Sequence, residues 1–163
     1  MEFTQLQIWA KGEIAQGKRM LSISVLLILL VILALKSENT LFRGMMIPIS
    51  LLLILNTGYG IYLVTNRVKY TEEINRQFKK DAAKTVAAEY TKVKSEKKNY
   101  TVLRMVWAAS IVISIIFCFI FTKDYDRGLS LGCTGLFFGL LCIDTFLHDR
   151  LSIYFKNLES LVI

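Results

Sequence analysis

Residues 67–98 read RVKYTEEINRQFKKDAAKTVAAEYTKVKSEKK, and the expected orientation of the whole chain follows from them. The stretch is rich in lysine and arginine, and long apolar runs lie on both sides of it. Because basic segments between two membrane spans stay on the cytoplasmic side, we expect this stretch to be cytoplasmic.

The composition of the 163-residue chain is typical of a membrane protein. Hydrophobic residues make up 54% of it and the mean hydropathy is +0.48, above the roughly 45–50% apolar share of soluble domains. These residues are grouped into runs close to the ~20 residues that a helix needs to cross a bilayer. The sequence therefore predicts one all-α, polytopic membrane domain with four transmembrane helices, at residues 20–35, 41–64, 101–122 and 129–147.

The remaining segments are predicted to be helical as well. Residues 67–100 are expected to form a long basic cytoplasmic connection between the second and third spans, which either breaks near residues 80–81 or folds along the membrane. Residues 1–19 combine Trp9 with flanking basic residues, a pattern typical of an interfacial amphipathic helix. Residues 148–163 predict a second interfacial helix. Four spans and a cytoplasmic connection place both termini in the cytoplasm.

The net charge of +7 is concentrated next to the apolar runs. Anionic lipid headgroups account for this placement better than nucleic acid does, so we expect a lipid bilayer as partner and no nucleic acid. The three cysteines, Cys118, Cys133 and Cys142, fall inside predicted spans and show no metal-binding spacing. No cofactor or metal is therefore expected.

An apolar stripe runs along the basic stretch at a spacing of four residues. A stripe of this kind covers the bundle, the headgroups or a partner, and a solvated connecting helix is the alternative interpretation. The residues assigned to a partner or headgroup surface are Ile74, Phe78, Lys79, Lys80, Val86 and Tyr90.

Small and polar residues within the spans predict helix packing. Asn56 lies deep in the second span, where it requires a hydrogen-bond partner on another helix. Glycines allow close approach of a neighbouring helix, and packing is favoured over ligand contact. The glycines assigned to packing are Gly58, Gly60, Gly132, Gly135 and Gly139.

A polar cluster is predicted at the inner end of the fourth span. Asp144 and His148 are four residues apart and share a helix face. A carboxylate at that depth should face the bundle or water, and Arg104 of the third span is its natural ion-pair partner. A proton or cation relay through Asp144 and His148 is the alternative. With Asn56, these residues form the candidate intramembrane polar set.

Three phrases in roughly the first 65 residues resemble small bacterial four-span membrane proteins of unassigned activity. They are IWAKGEIAQGK (8–18), SENTLFRGMMIP (37–48) and GYGIYLV (58–64). The resemblance implies a bacterial inner membrane location. It also implies a role like that of the immunity proteins that accompany toxins.

No sequence motif of a catalytic site is present, so a non-enzymatic function is expected. The features above favour an integral membrane interaction protein, such as an immunity or regulatory subunit that binds a membrane protein or toxin. The alternative is an oligomeric pore or small transporter that uses Asp144. Several copies would be needed, because four helices are too few to enclose an aqueous channel.

Overall fold

Within residues 3–162 the chain forms four long α-helices. A computed structural model describes residues 3–162, without the side chain of residue 162, and this range contains no strand. Each helix includes a stretch long and apolar enough to cross a membrane, as in a multi-pass membrane protein. The predicted all-α fold with four candidate spans is confirmed. The helices are α1 (Thr4–Lys36), α2 (Thr40–Lys80), α3 (Ala82–Ile120) and α4 (Asp124–Val162).

The structure does not show the predicted long connection between the second and third spans as a separate element. It has the break near residues 80–81 that was one of the two arrangements expected from the sequence. The residues of that connection are divided between α2 and α3, which meet at the single residue Asp81. The Asp81 side chain caps α3 by accepting a hydrogen bond from the backbone N–H of Lys84 at 3.0 Å. With no glycine or proline nearby, both helices continue up to this break.

The four helices form a bundle with an apolar half (residues 20–64 and 101–147) and a polar half (residues 3–19, 65–100 and 148–162). α1 and α4 run without interruption through the segments predicted as separate interfacial helices. Residues 1, 2 and 163 of those predicted segments lie outside the described range. Gln5 accepts a hydrogen bond from Asn157 at 2.9 Å, and Phe3 stacks on Phe78. The described ends of the chain therefore lie at the same end of the bundle as the Asp81 turn.

The polar half has a hydrophobic core of its own. All four helices contribute to it, because α1 and α4 extend beyond the apolar half and turn their apolar faces towards the hairpin of α2 and α3. Its buried members are Phe3, Leu6, Trp9, Ala10, Ile74, Val86, Val93, Leu151, Tyr154 and Leu158.

The apolar stripe of the basic stretch belongs to this core. Ile74 and Val86 are each only 8% exposed, and Phe78 and Tyr90 pack against the core. α1 and α4 cover Ile74 and Val86, so the structure corrects the assignment of these two residues to a partner or headgroup surface, while Phe78 and Tyr90 are half-buried. Two basic residues of that predicted surface remain exposed: Lys79 and Lys80.

Close backbone approach holds α2 against α4 in the apolar half. A Cβ atom added at Gly44 would overlap the carbonyl oxygen of Tyr125, and one added at Gly128 would overlap that of Leu41. These glycines were not among those predicted from the sequence. α3, by contrast, packs chiefly on α4 and touches α2 little.

The glycines predicted to mediate packing divide into two groups. Gly60 lies against α1, while Gly132 and Gly139 face α2. Cβ atoms added at Gly58 or Gly135 would have nothing within 4 Å. Of the two glycines in the predicted small-residue motif, Gly139 therefore contacts α2 and Gly135 lies on the open surface.

Glu89 is a buried carboxylate, 3% exposed, that joins three helices of the polar half. It accepts hydrogen bonds from the hydroxyl of Tyr70 on α2 and, at 3.3 Å, from that of Tyr154 on α4. Burial raises the pKa of both hydroxyls above the ordinary value, and Glu89 acts in the same direction because it repels a phenolate.

We expect Gly128→Ala to destabilise the protein by about 1–3 kcal/mol, because α2 must move away from α4 to admit the methyl group. Thermal unfolding of the detergent-solubilised protein measures this effect. Gly135→Ala is the matched control on the same helix and should leave the unfolding temperature nearly unchanged. Equal losses in the two variants would contradict the assigned α2–α4 contact.

We expect stability to fall as the pH rises above about 10, the ordinary tyrosine pKa. The folded protein keeps its protons on Tyr70 and Tyr154 there, whereas the unfolded chain releases them, so the stabilisation present below that pH is lost. Unfolding temperatures between pH 7 and 11.5 measure this loss. In Tyr70→Phe the unfolding temperature should fall less steeply with pH than in the wild type. Tyr125→Phe, at an exposed position, should show the wild-type decrease. Identical slopes for the two variants would contradict the role of Glu89.

Candidate ligand-binding cleft between α2 and α3

A cleft of about 740 Å³ opens between α2 and α3 where the polar and apolar halves meet. Its volume lies within the roughly 300–1,000 Å³ range of small-molecule and cofactor sites. α2 contributes Tyr59, Tyr62, Asn66, Arg67 and Tyr70; α3 contributes Lys92, Glu96, Asn99, Tyr100 and Leu103; α4 contributes Asp144.

The two main walls of the cleft are built alike. Counted from Tyr59, the lining residues of α2 follow at three, seven, eight and eleven positions. Those of α3 follow Lys92 at four, seven, eight and eleven positions. Such spacing places each set on one face of its helix. At ~1.5 Å per residue, each wall is ~17 Å long.

A buried ion pair fixes Arg67 on the α2 wall. Its Nε donates to Oε2 of Glu13 at 2.7 Å, and the two side chains are 10% and 2% exposed. Burial raises the pKa of the Glu13 carboxyl, and the positive charge of Arg67 opposes that shift. The guanidinium also lies 4.6 Å from the centre of the Trp9 ring. Arg67 is therefore held by α1 from behind the cleft.

Other contacts order the tyrosines and the charged residues of the lining. The hydroxyls of Tyr59 and Tyr100 lie 3.2 Å apart, which links the two walls. Lys92 Nζ lies 3.9 Å from the centre of the Tyr70 ring and 4.0 Å from a carboxylate oxygen of Glu96. Much of the lining is thus positioned before any ligand arrives.

Two side-chain amides of the lining are not held by contacts of this kind. Asn66 on α2 and Asn99 on α3 are exposed, and neither side chain forms a hydrogen bond within residues 3–162. Each offers a donor and an acceptor to an incoming group. They are the polar groups of the cleft that are most available to a partner.

The predicted ion pair of Asp144 with Arg104 is absent from the described residues. The indole N–H of Trp107 instead donates to Asp144 Oδ2 at 2.6 Å. Arg104 Nη1 lies 3.1 Å from Nδ1 of His148, one turn further towards the polar half. A long arginine side chain turns towards the polar end of a span, which accounts for the exchange of partners. Of the predicted polar set, Asp144 alone lines the cleft.

Asn56 lies at a different place, between α2 and α1. Its Nδ2 donates to the carbonyl oxygen of Met20 at 2.6 Å and to Oγ of Ser24 at 2.9 Å. Thr57 donates to the same Ser24 oxygen at 2.9 Å. The structure therefore gives Asn56 a packing position that is separate from the cleft.

Most of the cleft residues were not identified from the sequence. The available signal was the recurrence of tyrosines and an asparagine on one face of α2, matched by polar residues on one face of α3. The sequence left open whether residues 67–100 break near residues 80–81 or fold along the membrane, so it did not establish that these two faces meet. Only the break at Asp81 brings the two faces together.

The side chains that line the cleft can bind a polar ligand through charges and hydrogen bonds. Two cations, Arg67 and Lys92, are balanced by two carboxylates, Glu96 and Asp144, among hydroxyls and amides. The described part of the chain contains no group of three or more His, Cys, Asp or Glu residues that could hold a metal ion. The arrangement suits ion pairs and hydrogen bonds to a polar group that arrives at a membrane boundary.

No protein-family model, no curated protein and no solved structure matches this chain. The function of the cleft therefore has to be inferred from its own residues.

Proposed function

We propose that this chain is a non-enzymatic integral membrane protein that binds a membrane-embedded segment of another protein in the α2–α3 cleft. An immunity protein that binds a membrane-active toxin, or a regulatory subunit, would act in this way. The observation that carries the proposal is the position of the cleft, which offers apolar and polar lining at the boundary between the two halves.

The uncovered surface beside the cleft supports a polypeptide partner. Only 6% of the residues in the apolar window of α3 are buried, against 22% in α1 and in α2. A helix that docks beside α3 would contact this surface with its apolar residues. Its polar residues would reach Asn66 and Asn99 at the boundary.

The dimensions and chemistry of the lining support the same partner. A wall ~17 Å long matches about 11 residues of a helix. Tyrosines bury large areas at low cost in conformational entropy and keep a hydroxyl for hydrogen bonding, as at many protein interfaces. The partner is thus an amphipathic segment with apolar residues followed by polar or charged ones.

The proposed location is a bacterial inner membrane, with both ends of the chain in the cytoplasm. The support is the concentration of lysine and arginine in the polar half, including the exposed Lys79 and Lys80 at the α2–α3 turn. Anionic headgroups would surround the bundle at this level.

Site-specific photo-crosslinking in intact cells tests the proposed binding surface. A photoreactive residue at position 62 or 99 should yield a discrete protein adduct, because both positions line the cleft. A photoreactive residue at position 23, an exposed site on α1, is the control. Adducts of equal yield at position 23, or no protein adduct at positions 62 and 99, would overturn the proposal.

The same partner allows a quantitative test. The double variant Asn66→Ala/Asn99→Ala should weaken its binding by about tenfold or more, because two hydrogen bonds of about 0.5–1.5 kcal/mol each are lost. Affinity of the purified proteins in detergent measures the change. Thr91→Ala, an exposed α3 position outside the lining, should bind like the wild type. Unchanged affinity of the double variant would contradict the proposed contacts.

The second candidate function is an oligomeric pore or small transporter, with a second copy of the chain as partner. The half-buried Asp144 at the cleft favours it, because a carboxylate at that depth often marks an ion path. Flux through reconstituted vesicles that is lost in Asp144→Asn and kept in Asp149→Asn would support transport. Absence of flux, or flux that survives Asp144→Asn, would exclude it.

A further inference from the structure

A second, smaller cavity of about 280 Å³ lies between α1 and α4. It shares no lining residue with the α2–α3 cleft. Its lining consists of Gln5, Ile8, Trp9 and Gly12 from α1, and of Arg150, Ile153, Tyr154 and Asn157 from α4.

Two buried hydrogen-bond donors of this lining have no partner within the described residues. Trp9 is only 6% exposed, and its indole Nε1 has no hydrogen-bond partner. Nη1 of Arg150 is likewise buried and unpaired. Buried N–H groups are almost always hydrogen-bonded in native proteins. Two such donors on one cavity therefore point to an acceptor that occupies it.

The contacts around Trp9 fix its ring in place. It stacks on Tyr154, with ring centres 5.1 Å apart, and the guanidinium of Arg67 lies near its face. The indole cannot simply rotate to find another acceptor without the loss of these contacts. The indole N–H therefore stays unpaired unless an acceptor enters the cavity.

The charge of the lining selects an anion. Among residues 3–162, Arg150 is the one charged residue of the lining, and no carboxylate of this range lines the cavity. The nearby Glu13 already accepts a hydrogen bond from Arg67. Gly12 leaves room for the guanidinium, because a Cβ atom there would lie 3.3 Å from Nη1 of Arg150.

The Arg150 side of the cavity lies close to the end of the apolar half, at the level of lipid headgroups. Leu147 packs with Met20 and Leu63 where the apolar half ends. Arg150 lies three residues beyond Leu147, or ~4.5 Å along the helix axis. Ile8 and Ile153, at the same cavity, are 61% and 63% exposed and add apolar surface to this polar site.

We propose that this cavity binds the phosphate group of an anionic membrane phospholipid. Arg150 and Trp9 donate to the phosphate oxygens. Arginine is well suited to this role, because its planar fork forms charge-assisted hydrogen bonds with phosphate. The inference stands independently of the partner proposed for the cleft.

Native mass spectrometry and thermal unfolding of the full chain in a neutral detergent test this inference. Phosphatidylglycerol should bind and raise the unfolding temperature, whereas diacylglycerol, which lacks the phosphate, should do neither. Inorganic phosphate should have a much smaller effect than the lipid at equal concentration. An equal effect of inorganic phosphate would overturn the lipid assignment, and no effect of phosphatidylglycerol would overturn the site.

Variants then locate the site. Arg150→Gln should weaken phosphatidylglycerol binding by roughly tenfold or more, since charge-assisted hydrogen bonds are lost. Lys156→Gln removes the same charge from an exposed position of α4 outside the cavity and should retain wild-type binding. Trp9→Phe keeps an aromatic ring but removes the N–H, and should weaken binding severalfold even if Arg150→Gln does not fold. Equal binding by Trp9→Phe and the wild type, or equal losses in Arg150→Gln and Lys156→Gln, would overturn the proposal.

Discussion

The buried ion pair of Glu13 and Arg67 is the interaction on which the polar half depends. It joins α1 to α2 in a place where both side chains are almost fully removed from water. Removal of one partner of such a pair leaves an uncompensated buried charge, at a typical cost of about 3–5 kcal/mol. The pair therefore constrains the register of α1 against α2 more strictly than apolar packing alone.

The same pair lies between the α2–α3 cleft and the α1–α4 cavity. Arg67 lines the α2–α3 cleft, and its guanidinium lies over the ring of Trp9, which lines the α1–α4 cavity. Glu89 is a second buried carboxylate that joins helices, because it accepts hydrogen bonds from the hydroxyls of Tyr70 and Tyr154. Two buried carboxylates, each held by other helices, thus make the polar half a specific bundle and not a loose extension of the membrane spans.

Hydropathy predicted the four long apolar helices well, because lipid offers no hydrogen-bond partners to an irregular backbone and segments suited to crossing it must be long apolar helices. The periodicity of Ile74, Phe78, Val86 and Tyr90 correctly indicated a helix face that needs cover. It could not indicate what covers that face, because the answer depends on how far α1 and α4 extend. The glycines show the same limit, since Gly44 and Gly128 differ from Gly135 only in what stands opposite them.

The cleft itself follows from how the helices pair. α2 and α3 are joined at Asp81 and linked by the hydrogen bond from Tyr70 to Glu89. Further along, glycines hold α2 on α4, while α3 is attached to α4 through the contacts of Trp107 with Asp144 and Arg104 with His148. The facing sides of α2 and α3 are consequently left uncovered where the two halves meet. Because these contacts, together with that between the hydroxyls of Tyr59 and Tyr100, exist without a ligand, the lining is preorganised, which reduces the entropic cost of binding a partner.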